Sequence, residues 1–252
     1  MELFCLDGKA AIVTGGTRGI GRAAAEALCE AGAEVAVIGS SEGIFSTAQA
    51  LSARGFLVHA LRGDLGDRKK LPKLFSVAVG LLGGRLDIFV NSAGVQSRHK
   101  SEEFPIEDWD RVIEINLTAN FQLCQLAGQV MLERGGGKII NVASLLSFFG
   151  GITVPAYAAS KGGVAQMTKA LSNEWAGRGV QVNAIAPGYI DTDMNVNLIN
   201  DPARNTEILK RIPAGRWGKP DDLKGIVVFL ASRASDYVSG AVIPVDGGYM
   251  GR

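Results

Sequence analysis

The stretch AAIVTGGTRGIGRAAAEALCEAGA, residues 10–33, joins a short β-branched run to a helix-like run through a turn with four glycines. A tight turn from strand to helix needs glycine, because its backbone adopts conformations and close contacts that a side chain would prevent. The first turn of the following helix offers free N–H groups and the positive end of a dipole to an anion. The stretch therefore predicts a diphosphate-binding unit, although a glycine-rich turn alone is also compatible with a plain tight connection.

Short apolar runs recur along the rest of the chain, with room for a helix between each pair. They are nearly continuous rather than alternating, as strands buried on both faces of a parallel sheet require. We therefore predict a single-domain α/β protein over residues 1–252, with a Rossmann-like doubly wound parallel sheet of about seven strands flanked by helices. The expected strands are AAIVT, EVAVI, LVHAL, LDIFVN, KIINVA, VQVNAIA and AVIPV, and the expected helices include 22–31, 107–133, 156–177 and 221–231.

Composition argues against several classes of function. The chain has 26 Lys and Arg against 25 Asp and Glu, without the basic excess of a typical nucleic-acid-binding protein. No apolar run approaches membrane length and the N-terminus lacks a signal-peptide pattern, so we expect a cytoplasmic protein that does not bind membranes. Cys5, Cys29 and Cys124 have no metal-like spacing, so we expect reduced structural thiols and no metal site.

Two further strand ends carry residues suited to a dinucleotide. Asp64 ends the third predicted strand, where its carboxylate is placed to accept a hydrogen bond from an adenine amino group. The sequence NSAG, Asn91–Gly94, ends the fourth strand, and its small residues allow the backbone to approach a cofactor. Together with the glycine-rich turn, they predict a dinucleotide site at the carboxyl ends of the strands.

These motifs, in this order and at these separations, resemble the short-chain dehydrogenase/reductase family. The resemblance rests on the TGxxxGxG turn, the Asn-x-Ala-Gly strand end and the Tyr-x-x-x-Lys pair of YAASK, and it extends to Pro187-Gly188 and the closing VDGG. Ser92 stands where the family more often has a second Asn. The resemblance implies an NAD(P)-dependent oxidoreductase that transfers hydride between nicotinamide and a secondary alcohol or ketone. The implied cofactor-binding residues are Gly15, Thr17, Arg18, Gly19, Ile20, Gly21, Ser40, Asp64, Leu65, Asn91, Ala93, Gly94, Tyr157, Lys161, Pro187, Gly188, Ile190 and Thr192.

The family also implies a proton-transfer group. Tyr157 and Lys161 are four positions apart and share one face of a helix. A tyrosine with a pKa near 10 is a poor base at neutral pH, and a neighbouring ammonium group favours its phenolate. Ser144, at the end of the fifth strand, is placed to hydrogen-bond the substrate oxygen. Asn116 matches the fourth residue of the family's catalytic set, an asparagine that holds a water linking the lysine to solvent. We expect Tyr157 to donate a proton to the substrate carbonyl oxygen while Ser144 orients it.

The choice of nicotinamide cofactor depends on the end of the second strand. An acid commonly binds the ribose hydroxyls there, but this strand ends VIGSS, without an acid before Glu42. Arg18 is able to pair with a 2′-phosphate, and Ser40 and Ser41 are able to hydrogen-bond it. The residues therefore favour NADP(H) without excluding NAD(H), and Arg18 is equally compatible with a solvated loop residue. For Thr192, a helix N-cap is an alternative to a nicotinamide contact.

The segment from residue 188 to 220, here called the covering segment, has no strand pattern and is long enough to form a lid over substrate. GGITVPAY and EILKRIPAGRWGKPDD resemble the branch of the family that acts on deoxy-keto sugar acids such as 2-deoxy-D-gluconate and 2-dehydro-3-deoxy-D-gluconate. A sugar acid requires a cation for its carboxylate. Arg98 is the best-placed candidate, and His99, Lys100 and Arg204 are weaker ones.

Two other functions stay open from the sequence. VIGSS and Arg18 also fit a 3-oxoacyl-carrier-protein reductase, and a cofactor-binding regulatory protein without catalysis is a third hypothesis. The complete set of four proton-transfer residues argues against the regulatory protein. Family resemblance further implies a homotetramer, with interfaces on the helices that begin near Glu107 and Ala156 and on the C-terminal AVIPVDGGYM.

Overall fold

The computed structural model describes residues 2–252, which form one seven-stranded sheet covered by helices. The strands are β1 Ala10–Thr14, β2 Glu34–Gly39, β3 Val58–Arg62, β4 Ile88–Asn91, β5 Gly137–Val142, β6 Val180–Pro187 and β7 Val242–Val245. All neighbouring strands are parallel, and their order is β3-β2-β1-β4-β5-β6-β7. The direction of winding reverses between β1 and β4, which opens a crevice at the carboxyl ends of these strands. The predicted doubly wound parallel sheet is confirmed.

Helices connect the strands, and one predicted helix is interrupted. The helices are α1 Gly19–Glu30, α2 Gly43–Ser52, α3 Leu71–Leu81, α4 Ile106–Ile113, α5 Ala119–Glu133, α6 Pro155–Trp175, α7 Val196–Ile199, α8 Pro202–Arg211 and α9 Lys224–Ala231. A π-helical turn, Glu114–Thr118, divides the predicted helix 107–133 into α4 and α5. Such turns often occur at functional sites, because the extra residue redirects side chains.

The core consists of two apolar layers, one on each face of the sheet. All five residues of β1 are buried. Ala10 and Ile12 belong to the layer that includes Phe75 of α3, whereas Ala11 and Val13 belong to the layer with α1 and α9. Burial on both faces explains why the strand sequences are continuously apolar. Full burial of each large aliphatic side chain contributes roughly 1.5–3 kcal/mol, so the core holds the strand ends firmly in place.

The cysteines are free thiols in two environments. Cys5 is exposed, whereas Cys29 and Cys124 are buried, and burial raises the pKa of each of these two thiols to about 12. Thiols with such raised pKa values are poor nucleophiles, which agrees with a structural function. Within residues 2–252, every helix is too short or too polar to cross a lipid bilayer.

Candidate active site

The glycine-rich turn, defined as Thr14–Gly21, is pressed against the loop after β4. Gly15 has a φ of 69°, and a Cβ at this position would lie 2.9 Å from the Cα of Ala93. A Cβ at Gly21 would lie 2.3 Å from the carbonyl oxygen of Gly15. Arg18, the N-cap of α1, forms no capping hydrogen bond through its side chain with any of residues 2–252. The first N–H groups of α1 are therefore available to a diphosphate.

Thr14 joins the glycine-rich turn to the loop after β4, a function that sequence reasoning missed. Its hydroxyl accepts hydrogen bonds from the backbone N–H groups of Ser92, at 3.1 Å, and Ala93, at 3.2 Å, and donates to Asn91 Oδ1 at 3.1 Å. Asn91 Nδ2 donates to the carbonyl oxygen of Asn120 at 3.1 Å. The buried Asn91 side chain thus supports the predicted cofactor-binding loop from behind. The threonine directly before the glycines was the sequence signal that could have indicated this function of Thr14.

Thr17 and Ile20 hold the turn on its other side. The carbonyl oxygen of Thr17 accepts a hydrogen bond from Thr47 Oγ1 at 2.9 Å. A Cβ at Gly39, the last residue of β2, would lie 2.3 Å from Thr17 Oγ1. Ile20 packs against the core layer beneath α1. The turn therefore contacts the end of β2 closely, which places the residues after β2 beside it.

The structure pairs Arg18 with an acid rather than with the serines after β2. Arg18 Nη1 lies 2.8 Å from Asp193 Oδ2 in the covering segment. Ser40 and Ser41 are exposed, and the cation hydrogen-bonded beside them is Arg62, whose Nε donates to the Ser40 carbonyl oxygen at 3.2 Å. Sequence reasoning missed Arg62, although it ends the strand that pairs with β2.

Asp64 and Leu65 follow β3 and form the far edge of the crevice. Asp64 Oδ1 accepts a hydrogen bond from the backbone N–H of Gly66 at 2.9 Å, and the residue is exposed. Leu65 is buried in the core layer that includes α3 and α5. The burial of Leu65 and the Asx turn hold the carboxylate at the edge where sequence reasoning expected an adenine.

The chain after β6 returns to the start of α1. A Cβ at Gly19 would lie 3.4 Å from Thr192 Cγ2, so these residues touch across the crevice. Helix α7 begins after Asn195, and the interpretation of Thr192 as its N-cap is wrong. Ile190, which is 4% exposed, forms an isolated parallel bridge with Gly218. These contacts place the predicted nicotinamide-binding residues at the root of the covering segment.

Pro187 and Gly188 meet the C-terminal VDGG. The N–H of Gly188 donates to the Val245 carbonyl oxygen at 3.0 Å. A Cβ at Gly188 would lie 2.7 Å from the Cα of Asp246, so the two chain segments touch through their backbones. The root of the covering segment is therefore held by main-chain contact.

Ser144, Tyr157 and Lys161 converge at the carboxyl end of β5. Ser144 begins a short 3-10 turn, and its Oγ accepts a hydrogen bond from the Leu146 N–H at 3.2 Å. Lys161 Nζ lies 5.6 Å from the centroid of the Tyr157 ring and donates to the Val142 carbonyl oxygen at 2.6 Å. The helical spacing of YAASK places the tyrosine and the lysine on the same side of α6, as predicted.

Burial controls the protonation of this group. It raises the pKa of Tyr157 above its ordinary value of 10, and the Ser144 hydroxyl and the positive charge of Arg98 oppose that increase. Lys161 is 3% exposed, and burial lowers its pKa to about 8. The expected lowering of the Tyr157 pKa by Lys161 is not present in the chain alone, since the ammonium lies over the ring and bonds the Val142 carbonyl.

Asn116 lies in the π-helical turn and is fully buried. Its Oδ1 accepts from the Val95 N–H at 2.8 Å, and its Nδ2 donates to the Val95 carbonyl oxygen at 2.9 Å and to Ser160 Oγ at 3.2 Å. A Cβ at Gly94 would lie 3.3 Å from Asn116 Oδ1 and 3.8 Å from Lys161 Nζ. The structure therefore brings the fourth predicted residue to the lysine side of the group.

Arg98 lies beside the proton-transfer group, on the loop after β4. Partial burial lowers its pKa, the charge of Arg204 lowers it further, and Tyr189 and Tyr157 oppose both effects. His99, a weaker candidate for binding the substrate carboxylate, already has a partner, because its Nε2 lies 2.6 Å from Asp108 Oδ2. Sequence reasoning missed Tyr189, although it directly follows the Pro-Gly pair.

Thr153 ties the Arg98 loop to the wall formed by GGITVPAY. Its carbonyl oxygen accepts a hydrogen bond from the His99 N–H at 3.0 Å, and its own φ is 65°. A β-branched residue with such a φ is strained, because its Cβ crowds the backbone. Strain of this kind persists where the surrounding structure enforces it, often at functional sites.

The covering segment folds over this group through α7 and α8. Ile208 and Ile212 of the segment form an apolar cluster with Leu145, which follows Ser144, and with Tyr249 near the C-terminus. Among residues 2–252, no group of three or more His, Cys, Asp or Glu side chains is arranged to hold a metal ion.

Comparison with known proteins identifies one family and several full-length relatives. A family model described as enoyl-(acyl carrier protein) reductase matches residues 15–250. The chain is 49% identical over 251 residues to 2-dehydro-3-deoxy-D-gluconate 5-dehydrogenase of Bacillus subtilis (strain 168), which covers 100% of this chain and 98% of that protein. It is 39% identical over 248 residues to gluconate 5-dehydrogenase of Gluconobacter oxydans (strain 621H), with coverage of 98% and 96%.

One solved structure is similar throughout. It is a gluconate 5-dehydrogenase from Burkholderia cenocepacia J2315 in complex with NADP and tartrate. Its TM-score is 0.96 at 38% identity, and the match covers 100% of this chain and 98% of that one.

Proposed function

The chain belongs to the short-chain dehydrogenase/reductase family, and from this premise we propose that it is an NAD(P)-dependent oxidoreductase of sugar acids. It interconverts a secondary alcohol and a ketone. The observation that carries the proposal is the convergence of Ser144, Tyr157 and Lys161 beside Arg98. A proton donor and a carboxylate-binding cation are thereby within reach of one small hydroxy acid. Full-length relatives named for gluconate and 2-dehydro-3-deoxy-D-gluconate support this substrate class.

The crevice fits a nicotinamide dinucleotide. Its diphosphate would lie against the N–H groups at the start of α1, which no N-cap side chain occupies. Asp64 would hold the adenine, Lys161 the nicotinamide ribose, and Thr192 the carboxamide. When bound, the nicotinamide supplies or accepts a hydride at the substrate carbon.

The chain's own residues move the proton. Tyr157 donates the phenolic proton to the carbonyl oxygen in reduction and removes it from the alcohol in oxidation. Its raised pKa keeps the phenol protonated, which suits donation. Lys161, with a pKa of about 8, is mostly charged at neutral pH, where its ammonium group is able to hold the nicotinamide ribose. Ser144 orients the substrate oxygen, and Asn116 holds the loop on the lysine side.

We also propose a preference for NADP(H) over NAD(H). No acid stands among Gly39, Ser40 and Ser41 to bind the ribose hydroxyls. Two arginines border this region: Arg62 at the end of β3, which pairs with exposed Glu42, and Arg18 in the glycine-rich turn, which pairs with exposed Asp193. Their charges favour the additional phosphate of NADP(H).

A homotetramer in the cytoplasm is the proposed state of the protein. Ile106 of α4 is 63% exposed and Phe121 of α5 is 44% exposed, on the helices expected to form an interface. Burial of such side chains against a second copy would be favourable. Sedimentation as a monomer would contradict the tetramer.

A substrate panel separates the candidate functions. Purified protein is assayed with hexonates, 2-dehydro-3-deoxy-hexonates and acetoacetyl thioesters, each with NAD(H) and NADP(H). We expect turnover of the sugar acids, and Tyr157→Phe is expected to lower kcat by about 10³-fold or more while cofactor affinity changes little. Turnover of thioesters alone would favour the 3-oxoacyl-carrier-protein reductase instead. The absence of all turnover would favour the regulatory protein.

A further inference from the structure

We propose that Arg204, on the inward face of α8, is a second cation for the substrate carboxylate and makes closure of the covering segment depend on an anionic substrate. The proposal rests on the proposed function, because it concerns how the same cleft holds a sugar acid. Arg204 is thereby a specificity-determining residue that binds at the carboxylate end, away from the reacting carbon.

The packing of α8 gives Arg204 its direction. Arg204 and Ile208 are four positions apart, so they share one face of the helix. Ile208 is 4% exposed and packs in the cluster with Leu145 and Tyr249. Leu145 directly follows Ser144, so this face of α8 is turned to the proton-transfer group. Arg204 lies on it one turn nearer the start of the helix, and its side chain is 39% exposed.

Polar and aromatic contacts hold α8 in this orientation. Trp217 Nε1 donates to Asn205 Oδ1 at 2.8 Å, and the Trp217 ring lies edge-on to Tyr189, with 5.4 Å between centroids. At the other end of the helix, the guanidinium of Arg211 lies 4.3 Å from the centroid of the Tyr249 ring. These contacts join α8 to the residues that line the cleft. Because Arg98 lies on a different loop, a movement of α8 changes the distance between Arg204 and Arg98.

Arg204 has only a weak partner of its own within residues 2–252. Its Nη1 lies 3.3 Å from Glu207 Oε2, and the Glu207 side chain is 69% exposed. Exposed pairs of this kind contribute little, because solvent screens them. The charge of Arg204 instead affects groups on two sides of the cleft, since it lowers the pKa of Arg98 and also acts to lower that of Tyr249. Arg204 therefore lies within electrostatic range of both.

Two arginines that face one cleft repel each other until an anion lies between them. Arg98 is on the loop after β4, which the Thr153 carbonyl holds, whereas Arg204 is on the covering segment. A carboxylate that accepts hydrogen bonds from both guanidinium groups removes the repulsion and draws the segment inward. A neutral polyol or amide of the same size gives no such attraction. Selection for acids thus follows from the position of the second arginine.

The first test compares substrates with and without the charge. Arg204→Gln is assayed with D-gluconate and 2-dehydro-3-deoxy-D-gluconate and with the corresponding neutral amides. We expect KM for the acids to rise about tenfold, as for the loss of one charge-assisted hydrogen bond, with kcat within about threefold. KM for the amides stays unchanged. Arg204→Lys retains most of the affinity for the acids, and Lys210→Gln, which removes an exposed charge from the same helix, changes neither class.

The second test measures binding without turnover. In a Tyr157→Phe background with NADP⁺ bound, the emission of Trp217, which hydrogen-bonds Asn205 of α8, is followed during titration with D-gluconate. We expect a saturable change whose midpoint rises about tenfold on addition of Arg204→Gln, and Trp217→Phe identifies the signal. Circular dichroism verifies that each variant is folded.

The outcomes distinguish failure of the proposed function from failure of the proposed role of Arg204. If the parent protein turns over no sugar acid with either cofactor, both the proposed function and this inference fail. If it turns over sugar acids, but Arg204→Gln leaves the KM for acids unchanged or alters acids and amides equally, only the inference is overturned.

Discussion

The glycine-rich turn and the covering segment border the same crevice, but different contacts hold them. Around the turn, backbone meets backbone: Gly15 lies against Ala93, and Gly21 lies against the Gly15 carbonyl. Beyond its root, the covering segment is held mainly through side chains, with Ile208 in an apolar cluster and Trp217 hydrogen-bonded to Asn205, and by one backbone hydrogen bond from the Ala214 N–H to the Gly247 carbonyl oxygen at 3.0 Å. A backbone contact that excludes a Cβ accepts only glycine, whereas a side-chain contact is replaceable by others of similar shape. The turn is therefore readable as a motif, and the segment is not.

The two regions touch at a few exposed points. Arg18 of the turn pairs with Asp193 of the segment, although their side chains are 76% and 68% exposed. Thr192 contacts the start of α1 at Gly19. Because such exposed ion pairs are weak, we expect the segment to move while the turn and the residues behind it stay fixed.

The largest effect is expected at Lys161, which is buried in α6. Its folded pKa of about 8 lies below the ordinary value of 10.5, so between these pH values the unfolded chain binds a proton that the folded chain does not. The free energy of unfolding therefore rises with pH across this window, by about 3 kcal/mol from this residue. Below pH 8 both states are protonated and the cost of the buried charge is fully present.

Denaturant unfolding from pH 7 to 10.5 measures this contribution in the protein without cofactor. Lys161→Met is expected to be more stable than the parent by about 3 kcal/mol at pH 7, and the difference should vanish near pH 10.5. Lys210→Met, at an exposed position in the covering segment, is the matched control and should show no such trend. A constant difference for Lys161→Met would contradict the buried charge.

The next largest effect compares two glycines with the same backbone angle. Gly15 in the turn and Gly215 in the covering segment both have a φ of 69°. A Cβ at Gly15 would lie 2.9 Å from Ala93 Cα, whereas a Cβ at Gly215 would meet no atom of residues 2–252 within 4 Å. Both alanine variants incur the left-handed strain of about 1 kcal/mol, and Gly15→Ala adds about 2 kcal/mol from overpacking.

Thermal or denaturant unfolding of Gly15→Ala and Gly215→Ala measures the difference. Dinucleotide affinity, measured by titration, should fall in Gly15→Ala and stay unchanged in Gly215→Ala. Equal destabilisation of the two variants would contradict the close backbone contact at Gly15.

A smaller effect is expected where the two regions pair. Arg18→Ala removes a cation from the proposed NADP(H) site together with its exposed ion pair to Asp193. We expect NADP(H) affinity to fall about tenfold, NAD(H) affinity to stay the same, and stability to change by less than about 1 kcal/mol. Titrations with both cofactors measure this, and Asp193→Asn is the control that removes the pair but keeps the cation. Equal losses for NADP(H) and NAD(H) would argue against a 2′-phosphate contact.

The smallest effect concerns a positive φ that is not at a glycine. Thr153, in the wall of the cleft, adopts a φ of 65°, whereas the glycine-rich turn has a glycine at the residue with a similar angle. Asparagine tolerates this conformation better than a β-branched residue. Thr153→Asn is therefore expected to raise stability by about 1 kcal/mol, a shift of about 2–4 °C in Tm at this chain length. A lower Tm would show that the threonine side chain itself supports the loop.

The sheet and the glycine-rich turn were predictable from patterns in the sequence, whereas the membership of the proposed proton-transfer group was predicted from the resemblance to the short-chain dehydrogenase/reductase family. Continuous apolar runs predict strands buried on both faces, and the spacing of YAASK predicts that Tyr157 and Lys161 share a helix face. Gly15 and Gly21 are recognisable because close backbone contact excludes every other residue. Such features depend on local geometry, so they are visible without the fold.

The partners that these residues contact depend on the tertiary structure. Arg18 pairs with Asp193, 175 positions away, while Arg62 is the cation beside Ser40. The burial that raises the pKa of Tyr157 comes from the packing around it. Charge pairing and desolvation depend on distances through space between residues that are remote in the chain. The proposed proton donor was therefore predictable from the family resemblance, and the electrostatics of the cleft were not.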